Sequence, residues 1–346
     1  MLCFFGKYDT MAQRNWSYAR NKTAQNRRDR KLDAKKIVSY VGTILMILSV
    51  LFIARRLIND DGFDRSLFEH LSSLWVIGGL LLIAMAEGLG ILCAGLNFRA
   101  ILKNVSSVTV DRRLALAVYT ESNVYKYIPG GVMYAAGRNR LAIEVDELTH
   151  GKVVLSTILE GIGMVIGVIT IAAIFAFNHT ITYIRRMDIM PIVVLAALLA
   201  IVTGAIILYC LRHRIGGKLK QMAGSMEKIS LLTIAKRLGF SICIMFFYSL
   251  TFLFILMLMG QEMSFELGFA VIGLYLLAWL AGFLTPGAPS GLGVREVVMM
   301  MFLGDFVSVS VLAAAMVMHR VLTAVGDVAA YVFAKGLYTL RMRNPH

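Results

Sequence analysis

The chain has 346 residues, of which 58% are hydrophobic and 16% charged, with a formal net charge of +14. A soluble domain carries about 25% charged residues, so this composition, with a mean hydropathy of +0.72, excludes an ordinary water-soluble globule. Nor does the positive charge point to nucleic acid: half of the excess sits in residues 1–36, without the aromatic and basic motifs of a nucleic-acid reader.

In chain order, residues 1–36 read as a basic cytoplasmic tail beside anionic headgroups, and Leu2 to Phe5 is too short for the apolar core of a signal peptide. Apolar stretches long enough to cross hydrocarbon follow near 37–55, 73–97, 153–177, 190–211, 238–259, 268–285 and 309–335. Basic residues mark two connections as cytoplasmic, one at Arg99, Lys103, Arg112 and Arg113, the other from Arg212 to Arg237. Acidic residues at Asp60, Asp61, Asp64 and Glu69, and at Glu262 and Glu266, mark exterior turns, which leaves both termini in the cytoplasm. The expectation is an all-α integral membrane protein: a polytopic helix bundle over 37–340 and a short cytoplasmic tail at 341–346. Cys3, Cys93, Cys210 and Cys243 are scattered and show neither a disulfide framework nor a zinc spacing. No metal or cofactor is expected.

Two segments do not fit a plain span. Residues 113–150 must begin and end on the cytoplasmic side yet contain the apolar-leaning run Tyr125 to Ala136, which a re-entrant hairpin satisfies. Leu284 to Leu303 contains Pro286, Pro289, Gly287, Gly291 and Gly293, which break a helix ahead of the amphipathic run Val294 to Phe302. Both segments read Pro-Gly-x7-Arg: Pro129-Gly130 leads to Arg138, and Pro286-Gly287 leads to Arg295. With these two elements the bundle is expected to hold about eight spans, with broken or re-entrant helices at the Pro-Gly segments. Interrupted segments in both halves of a membrane protein point to a central binding site. Freed backbone N–H groups and guanidinium would suit a lipid phosphate there. The alternative is that both arginines only reach to an interface.

The stretches YKYIPGGVMYAAGRNRL and PGAPSGLGVREVVMMMFL resemble the two signature stretches of the lysylphosphatidylglycerol synthase transmembrane-region family, a resemblance that extends over roughly residues 40–340. The helix with Glu160 and the last span with Arg320 fall where that family tends to carry an acidic and a basic residue. Here Glu160 is followed by Gly161, where many relatives have arginine. The resemblance implies a lipid translocase, or flippase-like protein, in a prokaryotic cytoplasmic (inner) membrane. The soluble aminoacyl transferase domain of the larger relatives is not expected within these residues.

A charge near the centre of a bilayer costs about 2.5 to 3.5 kcal/mol on insertion scales, so each intramembrane ionisable group is a site hypothesis. Glu87, in MAEGLG, reads either as a hydrogen-bonded structural carboxyl or as a proton carrier. Glu160 has an arginine of the broken segments as its natural partner, whereas Arg320 and Asp327, seven residues apart on one face, must pair elsewhere. Glu121, Lys126 and Glu296 each have a neighbour to balance. The expected function is the flipping of an anionic phospholipid or a lipid-linked phosphate such as a polyprenyl-linked lipid. In it Arg138, Arg295 and Arg320 bind phosphate, Glu160, Glu296 and His319 line a charged cavity, and Pro129, Gly130, Pro286 and Gly287 act as hinge or gate. No catalytic residue is assigned, since no Asp-rich metal motif, nucleophile grouping or nucleotide loop is present. The alternatives are an accessory subunit bound to a glycosyltransferase or synthase partner, and a membrane-embedded lipid phosphate transferase.

Overall fold

A computed structural model describes residues 73–127, 133–176, 230–285, 291 and 293–343, and every element among them is helical. In chain order these are α1 (Leu74–Ser106), α2 (Arg112–Val124), a 3-10 turn (Tyr125–Tyr127), α3 (Met133–Arg138), α4 (Leu141–Glu144), α5 (His150–Phe175), α6 (Leu231–Leu258), α7 (Phe265–Leu284), α8 (Val294–Leu303) and α9 (Val309–Arg343). Five of them, α1, α5, α6, α7 and α9, are long and apolar enough to cross a membrane. The protein is a multi-pass α-helical membrane protein. The tail 1–36, the expected spans at 37–55 and 190–211, and Pro129, Gly130, Pro286 and Gly287 lie outside the described residues.

Helices α1, α6 and α9 outrun the apolar stretches that announce them. Helix α1 continues past the hydrophobic run to Ser106, where Ser107 turns left-handed (φ 62°) and donates its N–H to the Lys103 carbonyl. Helix α6 begins at Leu231 because the Ser230 hydroxyl accepts the Leu232 N–H, so Lys236 and Arg237 ride on its first turns. Hydropathy marks the hydrocarbon crossing, whereas a helix ends where its backbone is capped. Asp111, accepting from the N–H groups of Arg113 and Leu114, starts α2 in the same way, and Ser264 starts α7 by accepting from Leu267.

Helix α6 runs antiparallel along α1: Leu258 lies on Gly79, Tyr248 on Gly90, and Ser241 reaches Asn97. Helix α5 runs parallel to α6, with Gly163 on Ser241 and Gly167 on Ile242 and Met245. Helix α9 crosses α1 where Gly88 and Gly326 meet backbone to backbone; a Cβ on Gly326 would stand 2.7 Å from the Ala84 carbonyl oxygen. Small residues at such crossings let transmembrane helices close on one another, and van der Waals contact then holds them. The outward faces are apolar in their turn: Leu81, Leu82 and Met85 on α1 and Val317, Val321 and Val328 on α9 are all at least half exposed. That pattern suits a surface solvated by lipid.

Two excursions interrupt the bundle. Residues 108–148 leave and return at one end of it, where the Arg99 Nε donates to the Val110 carbonyl (2.7 Å) and the Lys152 Nζ to the Ser106 carbonyl (3.2 Å). Between these ties, α2 climbs to the middle of α9, and α3 comes back alongside it, Gly137 lying against Ser122 and Tyr125. In the second excursion α8 folds back along α7, with Gly291 (φ 69°) against Gly282 and the Arg295 guanidinium over the Trp279 ring. In both, the described chain runs out and back, and in sequence one Pro-Gly pair falls between the two arms.

Candidate functional site

The hairpins converge on the middle of the bundle, and the polar side chains there sort into four groups. In the first, the Arg138 guanidinium forms an ion pair with Glu160, whose other oxygen accepts from the Tyr119 hydroxyl (2.8 Å). The rings of Phe98, Tyr119 and Tyr134 surround the cation at 4.7, 4.4 and 5.2 Å from its carbon to their centroids. Arg138 and Glu160 are both buried. A guanidinium enclosed by three π faces and a carboxylate is held in one orientation.

In the second group Asp327, on α9 and 1% exposed, anchors the tip of the first hairpin. It accepts from Asn123 Nδ2 (2.8 Å) and from the Tyr127 hydroxyl (2.6 Å), and forms an ion pair with Lys126 Nζ (2.6 Å). Tyr127 is the last described residue before the first Pro-Gly pair.

The third group holds the second hairpin. The Arg320 Nε donates to Glu296 Oε1 (2.5 Å) and its Nη2 to the Gly291 carbonyl (3.4 Å). The second oxygen of Glu296 caps α8 by accepting the Gly293 N–H (2.7 Å). Glu296 is therefore engaged by Arg320 and the backbone, not by its sequence neighbour Arg295. Arg295, on the first turn of α8, stands over Trp279 at 5.7 Å. Its Nε is shut away from solvent with no hydrogen-bond partner, and no carboxylate pairs with it among the described residues. Tyr275, Arg320, Glu296 and Tyr127 are within its electrostatic reach.

The fourth group is Glu87 with Thr251 and His319. The Thr251 hydroxyl donates to Glu87 Oε1 (2.5 Å), His319 Nε2 lies 3.5 Å from the same oxygen, and the Tyr275 hydroxyl lies 3.2 Å from His319 Nε2. Edge-on contacts with Tyr275 and Phe252 fix the imidazole plane.

The structure thus brings Arg295, Arg320, Glu296 and His319 into one region where α7, α8 and α9 meet, while Arg138 and Glu160 form a separate pair on α3 and α5. The sequence pattern did not reveal Tyr119, Asn123, Tyr127, Thr251, Tyr275 or Trp279. Each lies in an apolar or mixed run where a hydroxyl, amide or indole has no distinguishing spacing, and only the packing gives it a partner. Among the described residues no group of three or more His, Cys, Asp or Glu is placed to hold a metal ion. No model of a known protein family matches the chain, and no curated protein matches it.

Proposed function

We propose that this protein translocates an anionic lipid, with the lipid phosphate held at Arg295 in the middle of the bundle. The observation that carries the reading is the state of Arg295: a guanidinium with its Nε buried and unpartnered, in contact with no carboxylate among the described residues, since the one within its field, Glu296, is bonded to Arg320. A cation in such a place is expensive to keep unless an anion visits it. Arg138 and Arg320 are already engaged by Glu160 and Glu296. Their part in this reading is to shape the walls around the phosphate and to meet it only when those pairs open.

A flippase must hide a charged headgroup from hydrocarbon while its tails stay in lipid, which calls for a polar interior bounded by broken, movable segments. The α2–α3 and α7–α8 hairpins support this reading, in which the Pro-Gly pairs act as hinge or gate, and a bilayer-dipping position for both accounts for their out-and-back course. The resemblance of their sequences to the lysylphosphatidylglycerol synthase transmembrane region supports the same function. On this reading the chain lies in a prokaryotic cytoplasmic membrane, with both termini in the cytoplasm and about eight spans in all.

The test is headgroup translocation in proteoliposomes, with labelled aminoacyl-phosphatidylglycerol in one preparation and a polyprenyl-phosphate sugar in another. Wild type should move at least one of them, and Arg295→Ala should move neither while remaining folded and inserted. Wild-type rates in Arg295→Ala would defeat the assignment of the phosphate site. A folded wild-type preparation that moves no lipid would favour an accessory subunit, to be sought by isolating a bound synthase.

A further inference from the structure

The buried carboxylates of the bundle are not all treated alike. Among the described residues, Asp327 faces Lys126, Glu160 faces Arg138 and Glu296 faces Arg320, each an ammonium or guanidinium side chain. Glu87, 1% exposed and near the middle of α1, faces a hydroxyl and an imidazole instead. Imidazole is the side chain whose charge changes within the physiological range. The Glu87 carboxylate and Arg295, a guanidinium that no carboxylate contacts among the described residues, both lie within electrostatic reach of Tyr275 and of Tyr127.

The groups facing this pair can be named element by element. Helix α6 contributes Tyr248, α7 contributes Tyr275, and the tip of the first hairpin contributes Tyr127; all three lie within electrostatic reach of Glu87. Helix α8 contributes Arg295, whose field reaches both Tyr275 and Tyr127. Helix α9 itself carries Arg320, bound to Glu296, and Asp327, bound to Lys126. Those last two pairs are neutral as units. The charge balance of the interior is left to Arg295, Glu87 and His319.

An anion arriving at Arg295 changes that balance by one unit, and a net charge in a low-dielectric interior is costly. The group able to answer is the pair that can gain a proton. We propose that Glu87 and His319 form a proton-binding pair that takes up one proton from water when an anionic headgroup occupies Arg295, so that anion and proton enter the interior together. Thermodynamic reciprocity then requires that a lower pH tighten lipid binding by the same factor by which bound lipid raises proton affinity. A proton gradient across the membrane becomes a force on the lipid. The inference rests on Arg295 as the anion site.

The experiment uses the full chain in nanodiscs of zwitterionic lipid, in weakly buffered solution near neutral pH with an indicator dye. The probe is dioctanoyl phosphatidylglycerol, whose phosphodiester exchanges no proton in that range. Binding to the wild type should take up about one proton per lipid, and the uptake should vanish in Glu87→Gln while lipid still binds. His319→Gln should flatten the dependence of lipid affinity on pH. Lipid binding by wild type without proton uptake would overturn the proton pair and leave the anion site standing. An uptake unchanged in Glu87→Gln would overturn the assignment to this pair. No lipid binding by the wild type would remove both readings. If Glu87→Gln does not fold, the wild-type stoichiometry decides alone.

Discussion

The two Pro-Gly hairpins carry their arginines at the same place, nine residues after the proline, and treat them in opposite ways. Arg138 is enclosed: a carboxylate binds it, three aromatic rings surround it, and the pair is buried. Arg295 has one indole beside it and no carboxylate in contact among the described residues, while the Nε of each arginine is buried without a hydrogen-bond partner. Equal spacing in sequence therefore does not mean equal duty. The first arginine ties its hairpin to α5, whereas the second has no ion pair of that kind and is, in the proposed function, the one that meets the lipid phosphate.

Stability separates the two most sharply. Arg138→Ala leaves Glu160 buried without its cation, which should cost about 3 to 5 kcal/mol. Arg295→Ala breaks no direct ion pair among the described residues and should cost clearly less than Arg138→Ala. Thermal unfolding of both variants in the same detergent checks this, and equal losses would break the comparison. Joint replacement of Arg138 and Glu160 by leucine should recover most of the first loss, because a buried ion pair is often replaceable by apolar packing.

The anchor of the first hairpin comes next. Asp327→Asn removes the charge that pairs with Lys126 and weakens the acceptor used by Asn123 and Tyr127, for an expected loss of about 2 kcal/mol. Its signature is local, with faster amide exchange at Asn123 to Tyr127 and little change in α5 or α6. Uniformly faster exchange through the bundle would show that Asp327 holds more than the hairpin tip.

In the second hairpin, a Cβ at Gly282 would meet the Arg295 Cγ at 2.8 Å and the Gly291 Cα at 3.1 Å. Gly282→Ala should accordingly cost about 1 to 2 kcal/mol and displace α8. A tryptophan emission shift from Trp279 offers a direct readout. The smallest effect belongs to Arg140, whose half-exposed guanidinium bridges Glu121 and Glu144 (2.8 and 2.6 Å). Arg140→Gln should lower stability by less than about 1 kcal/mol, and added salt should mask the difference.

Much of this was legible in the sequence, and the reasons are physical. The hydrophobic runs of α1, α5, α6, α7 and α9 are visible because a bilayer demands about 20 apolar residues in a row. The out-and-back course of residues 113–150 followed from the orientation of the spans, which puts both of its ends on the cytoplasmic side, and an arginine partner for Glu160 followed from the cost of leaving it alone in hydrocarbon. Partner choice was harder. Glu296 follows Arg295 in sequence yet binds Arg320, because the side chain that caps the start of α8 must turn back toward Gly293, and that motion carries it to α9. Lys126 and Asp327 pair across the fold for a similar reason: no spacing along the chain reports which helix a hairpin tip will touch.

The anchor of that tip also has a bearing on how the protein is made. Asn123 and Asp327 are 204 residues apart, so the first hairpin is synthesised long before the carboxylate that seats it. At about 5 to 20 residues per second, the ribosome needs on the order of 10 to 40 seconds to cover that distance. For that interval Lys126 has no Asp327 to pair with, and the low dielectric of the membrane penalises its entry. Helix α9, which emerges after the other described helices, is thus the one that completes the first hairpin, and chains cut short before Asp327 should leave α2 and α3 open to protease while α1 is already protected.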